Sequence, residues 1–245
     1  METIQRLYHI YRDELVELKK AQIINKLYFT SIAFDDIESE LLYMYIRETK
    51  PLNVVEFSPF YGWSTFNILH ALNKNEKGLC VSYDLVDFAV NSLEKTDLCL
   101  QRWKFVKSDV TEFFDKWNYD QIDFMFIDCD HSTEFAEKYC AKVLPKMMTT
   151  SKTVFIHDIY HDWKCGEQDV VKSFIAENKI PYVSPSKHFR EQREIINTLR
   201  ETVYGDDIVY PIHYADMNPV VILNPHIYFD GYVEGFIEKT RNIGE

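Results

Sequence analysis

The sequence predicts a Rossmann-like, doubly wound α/β fold: a mostly parallel seven-stranded sheet with helices on both faces, preceded by N-terminal helices. Short apolar segments of strand length alternate with segments of helical periodicity along most of the 245 residues. This alternation is typical of a parallel sheet with helical crossovers. The strand segments are almost continuously apolar, as strands buried on both faces are. We expect a single domain with a helical segment at 1–50, a core at 51–183, and a lid with closing strands at 184–245.

The first fifty residues have the spacing of amphipathic helices. Leu7, Ile10, Leu15 and Leu18 recur at helical intervals, which predicts that they share one face. Asp35 or Asp36 stands where a second helix needs a capping side chain. Two helices are therefore expected before the first strand.

The core continues as an alternation of the two element types. Strands are predicted at 53–58, 78–85, 103–110, 121–132 and 152–161, with two closing strands at 208–215 and 219–225. Helices are predicted at 64–74, within 86–97, at 111–117, 132–147, 167–179 and 190–202. Right-handed crossovers bring the carboxyl ends of parallel strands to one edge, where such sheets bind ligands. The residues that follow each strand are therefore the candidate site.

Composition limits the classes of function. The net charge of −12 disfavours nonspecific nucleic-acid binding, which needs a basic face. The N-terminus has no apolar signal core, and no apolar run reaches the roughly 20 residues of a membrane span. Five cysteines without a C-x-x-C pair predict neither a zinc site nor a disulfide framework. We expect a cytoplasmic protein that acts on a small molecule without membrane or nucleic-acid partners, and a homo-oligomer is left open.

The loop after the first strand, E-F-S-P-F-Y-G-W-S-T at 56–65, argues against a phosphate-bearing cofactor. A dinucleotide fold uses G-x-G-x-x-G so that the backbone can approach a pyrophosphate. Here Pro59 and Phe60 stand where small residues are needed, Pro59 has no N–H to donate, and Gly62 is the one glycine left.

S-adenosylmethionine, which carries no phosphate, makes demands that this edge can meet. Backbone N–H groups at a helix start can hold its carboxylate. Glu56 can face its amine. Asp84 can accept hydrogen bonds from both ribose hydroxyls, and Asp109 can accept one from the adenine amino group. Taken singly, Glu56 and Asp109 could equally be helix caps and Asp84 a turn former. Their placement at three successive strand ends favours the cofactor role, while Tyr61 and Trp63 either stack on the adenine or cover the core.

Two motifs follow the fourth and fifth strands, I-D-C-D-H-S at 127–132 and F-I-H-D-I-Y-H at 155–161. With them, the segment 37–178 resembles the class I S-adenosylmethionine-dependent methyltransferases. Within that class it is most similar to the sugar and antibiotic O-methyltransferases, whose fourth strand ends in a D-G-D-H-S-like motif. The resemblance implies that 51–183 is the cofactor-binding core. The residues expected at the cofactor are Glu56, Phe57, Ser58, Tyr61, Gly62, Trp63, Ser64, Asp84, Asp109, Val110 and Asp128.

The same two motifs supply the candidate catalytic residues, which are Asp128, His131, His157 and Asp158. His131 is the preferred general base, because the ordinary pKa of histidine lies near neutrality, and His157 is the second choice. For His161 a structural role is preferred. Asp128 and Asp158 would suit Mg²⁺, and related metal-dependent methyltransferases take ligands from these strand ends. Many of those have an acid or Asn next, where this chain has Ile159, so we expect a metal-free reaction.

The predicted function is methyl transfer from S-adenosylmethionine to a small polar acceptor, at a hydroxyl of a sugar or related metabolite. The N-terminal helices and the segment 184–217 are expected to form the lid and the acceptor pocket. One alternative is a catalytically inactive protein of the same fold that serves in binding or assembly, which the altered loop motivates. Another is a metal-assisted hydroxylase or hydrolase that uses the Asp and His residues of the two motifs.

Overall fold

The computed structural model describes residues 2–32, 34–150, 152–159, 165–184, 190–205 and 220–224. The helices of this part are α1 (Glu2–Ile10), α2 (Arg12–Asn25), α3 (Asp36–Thr49), α4 (Trp63–Lys74), α5 (Phe88–Leu93), α6 (Thr133–Lys142), α7 (Leu144–Thr149), α8 (Gly166–Asn178) and α9 (Arg190–Tyr204). Its strands are β1 (Asn53–Phe57), β2 (Leu79–Asp84), β3 (Trp103–Lys107), β4 (Phe124–Ile127), β5 (Thr153–Ile156), β6 (Tyr182–Val183) and β7 (Val221–Leu223). None of the described helices combines the length and the apolar character that a membrane span requires.

The strands form one seven-stranded sheet in the order β3-β2-β1-β4-β5-β7-β6. β1 to β5 pair in parallel, whereas β7 runs antiparallel to both β5 and β6. The predicted doubly wound, mostly parallel sheet is therefore confirmed. The strand order reverses between β1 and β4, so the crevice for a ligand is expected beyond the carboxyl ends of these two strands.

The sheet separates two hydrophobic cores. In β4, Phe124 and Phe126 face the core beneath α2, α3 and α4, whereas Met125 and Ile127 face the core beneath α6, α7 and α8. All four side chains are fully buried. This alternation follows from the two-residue period of a strand, and it explains why a strand covered on both faces is apolar at every position.

The start of α3 has the predicted cap. Asp35 accepts a hydrogen bond from the backbone N–H of Glu38 at 2.8 Å, and Glu38 accepts one from the N–H of Asp35 at 3.1 Å. This reciprocal pair is a capping box, which satisfies two N–H groups that the helix leaves unpaired. Asp35, rather than Asp36, is the capping residue.

A buried group of charges fastens α9 to the N-terminal helices. Lys19 lies 2.8 Å from Asp36, and Arg200 of α9 lies 2.8 Å from Glu40. The hydroxyl of Tyr8 also donates to Glu40 at 2.9 Å. Each buried carboxylate therefore has a cationic partner, as removal from water requires.

Several predicted elements differ from those observed. The single helix predicted at 132–147 is wrong, because the chain breaks at Val143 between α6 and α7, where Pro145 fits the first turn of the second helix. The helix predicted at 111–117 is a short 3₁₀ turn at Val110–Phe113. The short strand β6 was not predicted. The closing strand predicted at 219–225 contains β7. The strand predicted at 208–215, His161 and half of the predicted lid segment 184–217 lie outside the described residues.

Candidate active site

The loop between β1 and α4 is held tightly against β2. Ser58, Phe60 and Gly62 have positive φ angles of 52°, 48° and 90°. The N–H of Ser58 donates to the carbonyl of Tyr83 at 2.8 Å. A Cβ atom at Gly62 would lie 3.2 Å from the Cβ of Ala89 in α5. Glycine is thus favoured at position 62 both by its left-handed conformation and by the close approach of α5.

A cleft of about 240 Å³ opens at the carboxyl ends of β1 to β4, where the strand order predicts a ligand. Its remaining wall is formed by the first turns of α6. The residues predicted at the cofactor that line it are Ser58, Asp84, Asp109 and Val110. Four predicted residues from three strand ends therefore meet in one cavity.

The two carboxylates on the cleft wall are held by backbone N–H groups. Asp84 accepts from the N–H of Phe60 at 2.9 Å and from that of Val86 at 3.1 Å. Asp109 accepts from the N–H of Thr111 at 2.8 Å and caps a 3₁₀ turn. Because a carboxylate has about four acceptor sites, both side chains keep capacity to accept from a ligand in the cleft.

Polar side chains at the ends of β4 and β5 form a second group beside this cleft. Nδ1 of the buried His157 lies 3.3 Å from Asp128 and 3.5 Å from Asp158. One possible ligand atom from each of these three residues lies within 4.8 Å of the others. Their donor set of two carboxylates and an imidazole is suited to a divalent ion.

His131 lies between two carboxylates. Its Nδ1 is 2.6 Å from Glu167 and its Nε2 is 3.1 Å from Asp158. Burial lowers the pKa of His131, but the hydrogen bonds to Asp158 and Glu167 outweigh burial and raise the pKa to about 10. The expectation of a pKa near neutrality is therefore wrong, and the imidazole is cationic at pH 7.

His157 is fully buried and also lies between acids. Its Nε2 is 3.3 Å from Glu38, while its Nδ1 faces Asp128 and Asp158. Burial lowers the pKa of His157, but the two aspartates outweigh it and hold the pKa well above its ordinary value. For the carboxyl of Asp158, burial raises the pKa, but the neighbouring imidazoles outweigh burial and hold that pKa well below its ordinary range. The edge thus carries alternating positive and negative groups.

The comparison with known families finds a match within the core. Residues 55–159 match the family model described as a methyltransferase domain. The matched segment runs from β1 to the end of β5 and includes the cleft and both strand-end motifs. No curated protein sequence matches the chain.

Solved structures share the fold of this chain. The O-methyltransferase TomG from Streptomyces achromogenes, crystallised with SAM, is 13% identical and has a TM-score of 0.51, with 85% of this chain and 88% of that chain covered. An O-methyltransferase from Bacillus cereus in complex with SAH is 12% identical and has a TM-score of 0.50, with 91% and 97% of the two chains covered. At such low identity the likeness establishes the fold, and the predicted resemblance to class I methyltransferases is confirmed.

Glu56 lies beneath the cleft rather than on its wall. It is fully buried and accepts hydrogen bonds from the hydroxyls of Ser64 and Thr65, each at 2.7 Å, and from that of Ser82. Burial raises the pKa of Glu56 to about 7, although the three hydroxyl donors lower it. As the structure stands, Glu56 joins β1 and β2 to the first turn of α4 and supports the loop from below.

The aromatic residues of the loop have separate positions. Trp63 is buried and stacks on Phe66, with ring centroids 5.4 Å apart and an angle of 3° between the planes. Tyr61 stacks on Phe88 of α5 at 5.2 Å, beside the loop. Phe57 lies in the core, stacked against Phe114 at 5.7 Å. None of these three side chains lines the cleft among the described residues, so packing explains Trp63 and Phe57.

Two acids of the site were missed by sequence reasoning. Glu38 comes from α3 and Glu167 from α8, so neither follows a strand. The D-D-I-E pattern that signals the cap of α3 includes Glu38, but it carries no sign that this side chain also reaches His157. Glu167 stands at the start of a predicted helix, where an acid is ordinarily explained by the helix dipole.

Proposed function

We propose that this chain transfers a methyl group from S-adenosylmethionine to a hydroxyl oxygen of a small polar acceptor, such as a sugar or related metabolite. The observation that carries the proposal is the cleft of the methyltransferase domain, in which Ser58, Asp84 and Asp109 converge from three strand ends. When bound, S-adenosylmethionine supplies a methyl carbon attached to a sulfonium, which is open to attack by an oxygen.

The cleft suits a ligand that offers hydrogen-bond donors. In this proposal Asp84 accepts hydrogen bonds from the two ribose hydroxyls, and Asp109, with the backbone at Val110, holds the adenine. Carboxylates on the wall would repel a phosphate at this position. The donor set therefore fits S-adenosylmethionine better than a nucleotide cofactor, in keeping with the glycine-poor loop.

At the acceptor end, the charge states favour different roles for Asp128 and His131. The His131 imidazolium has a pKa of about 10, so it stabilises negative charge on the acceptor oxygen rather than removing the proton. Asp128 is more exposed than Asp158, with a quarter of its side chain accessible, and takes the hydroxyl proton. The oxygen then bonds to the methyl carbon as the carbon–sulfur bond breaks.

A metal-assisted reaction on the same fold is the second candidate. Asp128, His157 and Asp158 are close enough to share one ion. Ile159, which follows Asp158, is apolar and fully buried and supplies no further ligand. We therefore favour the metal-free reaction. Loss of turnover on chelation, with S-adenosylmethionine dispensable, would support the metal-assisted candidate instead.

We further propose that the enzyme works in the cytoplasm on a small molecule and not on nucleic acid. The five cysteines are all free thiols, as a reducing compartment maintains them. The net charge of −12 disfavours association with a polyanion.

Isothermal titration with S-adenosylmethionine and its product S-adenosylhomocysteine tests the proposal. We expect saturable one-to-one binding of both. A panel of sugars and related polyols is then screened with S-adenosylmethionine carrying a labelled methyl group. The absence of binding at millimolar cofactor would overturn the enzyme proposal in favour of a binding or assembly protein.

A further inference from the structure

Glu167, in the first turn of α8, is hydrogen-bonded to the side chain of His131. Glu167 is 1% exposed, and its Oε2 lies 2.6 Å from Nδ1 of His131. Its other oxygen accepts from the hydroxyl of Tyr139 in α6 at 2.7 Å. Both carboxylate oxygens of Glu167 are thus hydrogen-bonded, one to His131 of the site and the other to Tyr139 of α6.

The backbone brings the same two segments together. The N–H of Glu167 donates to the carbonyl of His131 at 3.2 Å. At the preceding position, a Cβ atom on Gly166 would lie 1.9 Å from Oγ1 of Thr133. Such a contact is too short for any side chain, so glycine allows α8 to begin directly against the segment that carries His131.

These contacts restrict the imidazole to one orientation. An ionised carboxylate accepts but does not donate, so the contact with Glu167 places a proton on Nδ1 of His131. With Nδ1 held, Nε2 points to Asp158 at 3.1 Å. A ring bonded at both nitrogens cannot flip without breaking two charge-assisted hydrogen bonds.

We propose that Glu167 is a positioning residue, which holds the imidazole of His131 so that Nε2 faces Asp158 and the acceptor end of the cleft. Tyr139 fixes Glu167 in turn. We call the contacts of Glu167 with His131 and Tyr139 the clamp. Its purpose rests on the proposed methyl transfer, whereas the contacts themselves are measurable without an acceptor. It is made by a helix that lies beyond the matched methyltransferase segment.

The test is NMR of the full chain labelled with ¹⁵N-histidine, in which His131→Gln identifies the signals of this ring. We expect the wild-type Nδ1–H proton to be a downfield, slowly exchanging signal. Glu167→Gln keeps an amide oxygen that can accept from Nδ1, so the signal should be retained. Glu167→Ala should lose it, while Glu177→Ala, which removes an exposed acid of the same helix, should leave it unchanged.

Several outcomes would overturn the proposal. They are the absence of a protected Nδ1–H signal in the wild type, its loss in Glu167→Gln, or its persistence in a folded Glu167→Ala. The wild-type and Glu167→Gln spectra decide the matter even where Glu167→Ala does not fold. Titration of the same samples with S-adenosylhomocysteine separates the two proposals. Failure of the wild type to bind would refute the methyltransferase function and leave the signal of the clamp intact.

Discussion

Replacing Gly62 by alanine tests how the cofactor loop is built. The φ angle of +90° at Gly62 costs an alanine about 1–2 kcal/mol. The new Cβ atom would lie 3.2 Å from Cβ and 3.3 Å from Cα of Ala89, and 3.3 Å from Leu93. Crowding of this kind in a packed region adds about 1–3 kcal/mol. We expect a loss of about 2–5 kcal/mol, which for a chain of this size lowers the melting temperature by about 4–20 °C.

Gly205 provides the matched control. It also has a positive φ, of 58°, but no atom of the described residues lies within 4 Å of a Cβ atom built there. Gly205→Ala should therefore cost only the backbone term, about 1–2 kcal/mol. Thermal unfolding of both variants, followed by circular dichroism, measures the difference. If the two variants lose the same stability, the contact between the loop and α5 has no energetic role and the reasoning is refuted.

Three further predictions concern the site. Asp84→Ala should weaken S-adenosylmethionine binding about 10- to 100-fold in calorimetry, because about 1.5–3 kcal/mol of charge-assisted hydrogen bonding is lost. The control Asp87→Ala, which removes an exposed ion pair with Lys107, should leave the affinity unchanged. Equal affinities for the wild type and Asp84→Ala would remove Asp84 from the ribose role. The pKa of His131 is raised to about 10 from an ordinary value of about 6.5, so its stabilising contribution is complete below about pH 6.5 and is lost as the pH rises through about 10. Urea unfolding should accordingly show that His131→Gln costs more stability at about pH 6 than at about pH 10, and a cost that grows with pH would contradict the paired imidazolium. Treatment with EDTA should leave cofactor affinity and turnover unchanged, whereas a melting temperature that rises with Mn²⁺ in the wild type but not in Asp128→Asn would establish a metal site instead.

The sequence was sufficient to predict the sheet and the strand-end residues. Apolar periodicity defined β1 to β5, and the rule that ligands bind at their carboxyl ends led to Asp84 and Asp109, which line the cleft. It also led to Asp128 and Asp158 on neighbouring strands. The prediction of the sheet succeeded because it depends on local pattern and on one topological rule, whereas the roles of these side chains stay predictions.

The remaining features depend on contacts between distant segments. The raised pKa of His131 comes from Asp158, which follows the end of β5, and from Glu167 in α8, so no local pattern shows it. The break at Val143 lies in a segment whose apolar periodicity continues across it. The role of Trp63 was undecided because a ring beside a cofactor loop and a ring in a core have the same sequence signal, and only its stacking on Phe66 separates them.

Glu38 has a consequence for how variants of this chain are interpreted. The one side chain closes the capping box of α3, lies 3.3 Å from His157, and accepts from the backbone N–H of Val220 at 2.8 Å. Burial raises the pKa of Glu38 to about 7, so its charge changes within the range of ordinary assay buffers. A mutational scan scored on abundance would class position 38 as a folding determinant, and one scored on turnover would class it as part of the active site. Substitutions that stabilise the start of α3 and substitutions that change the chemistry of the site would therefore fall at the same position.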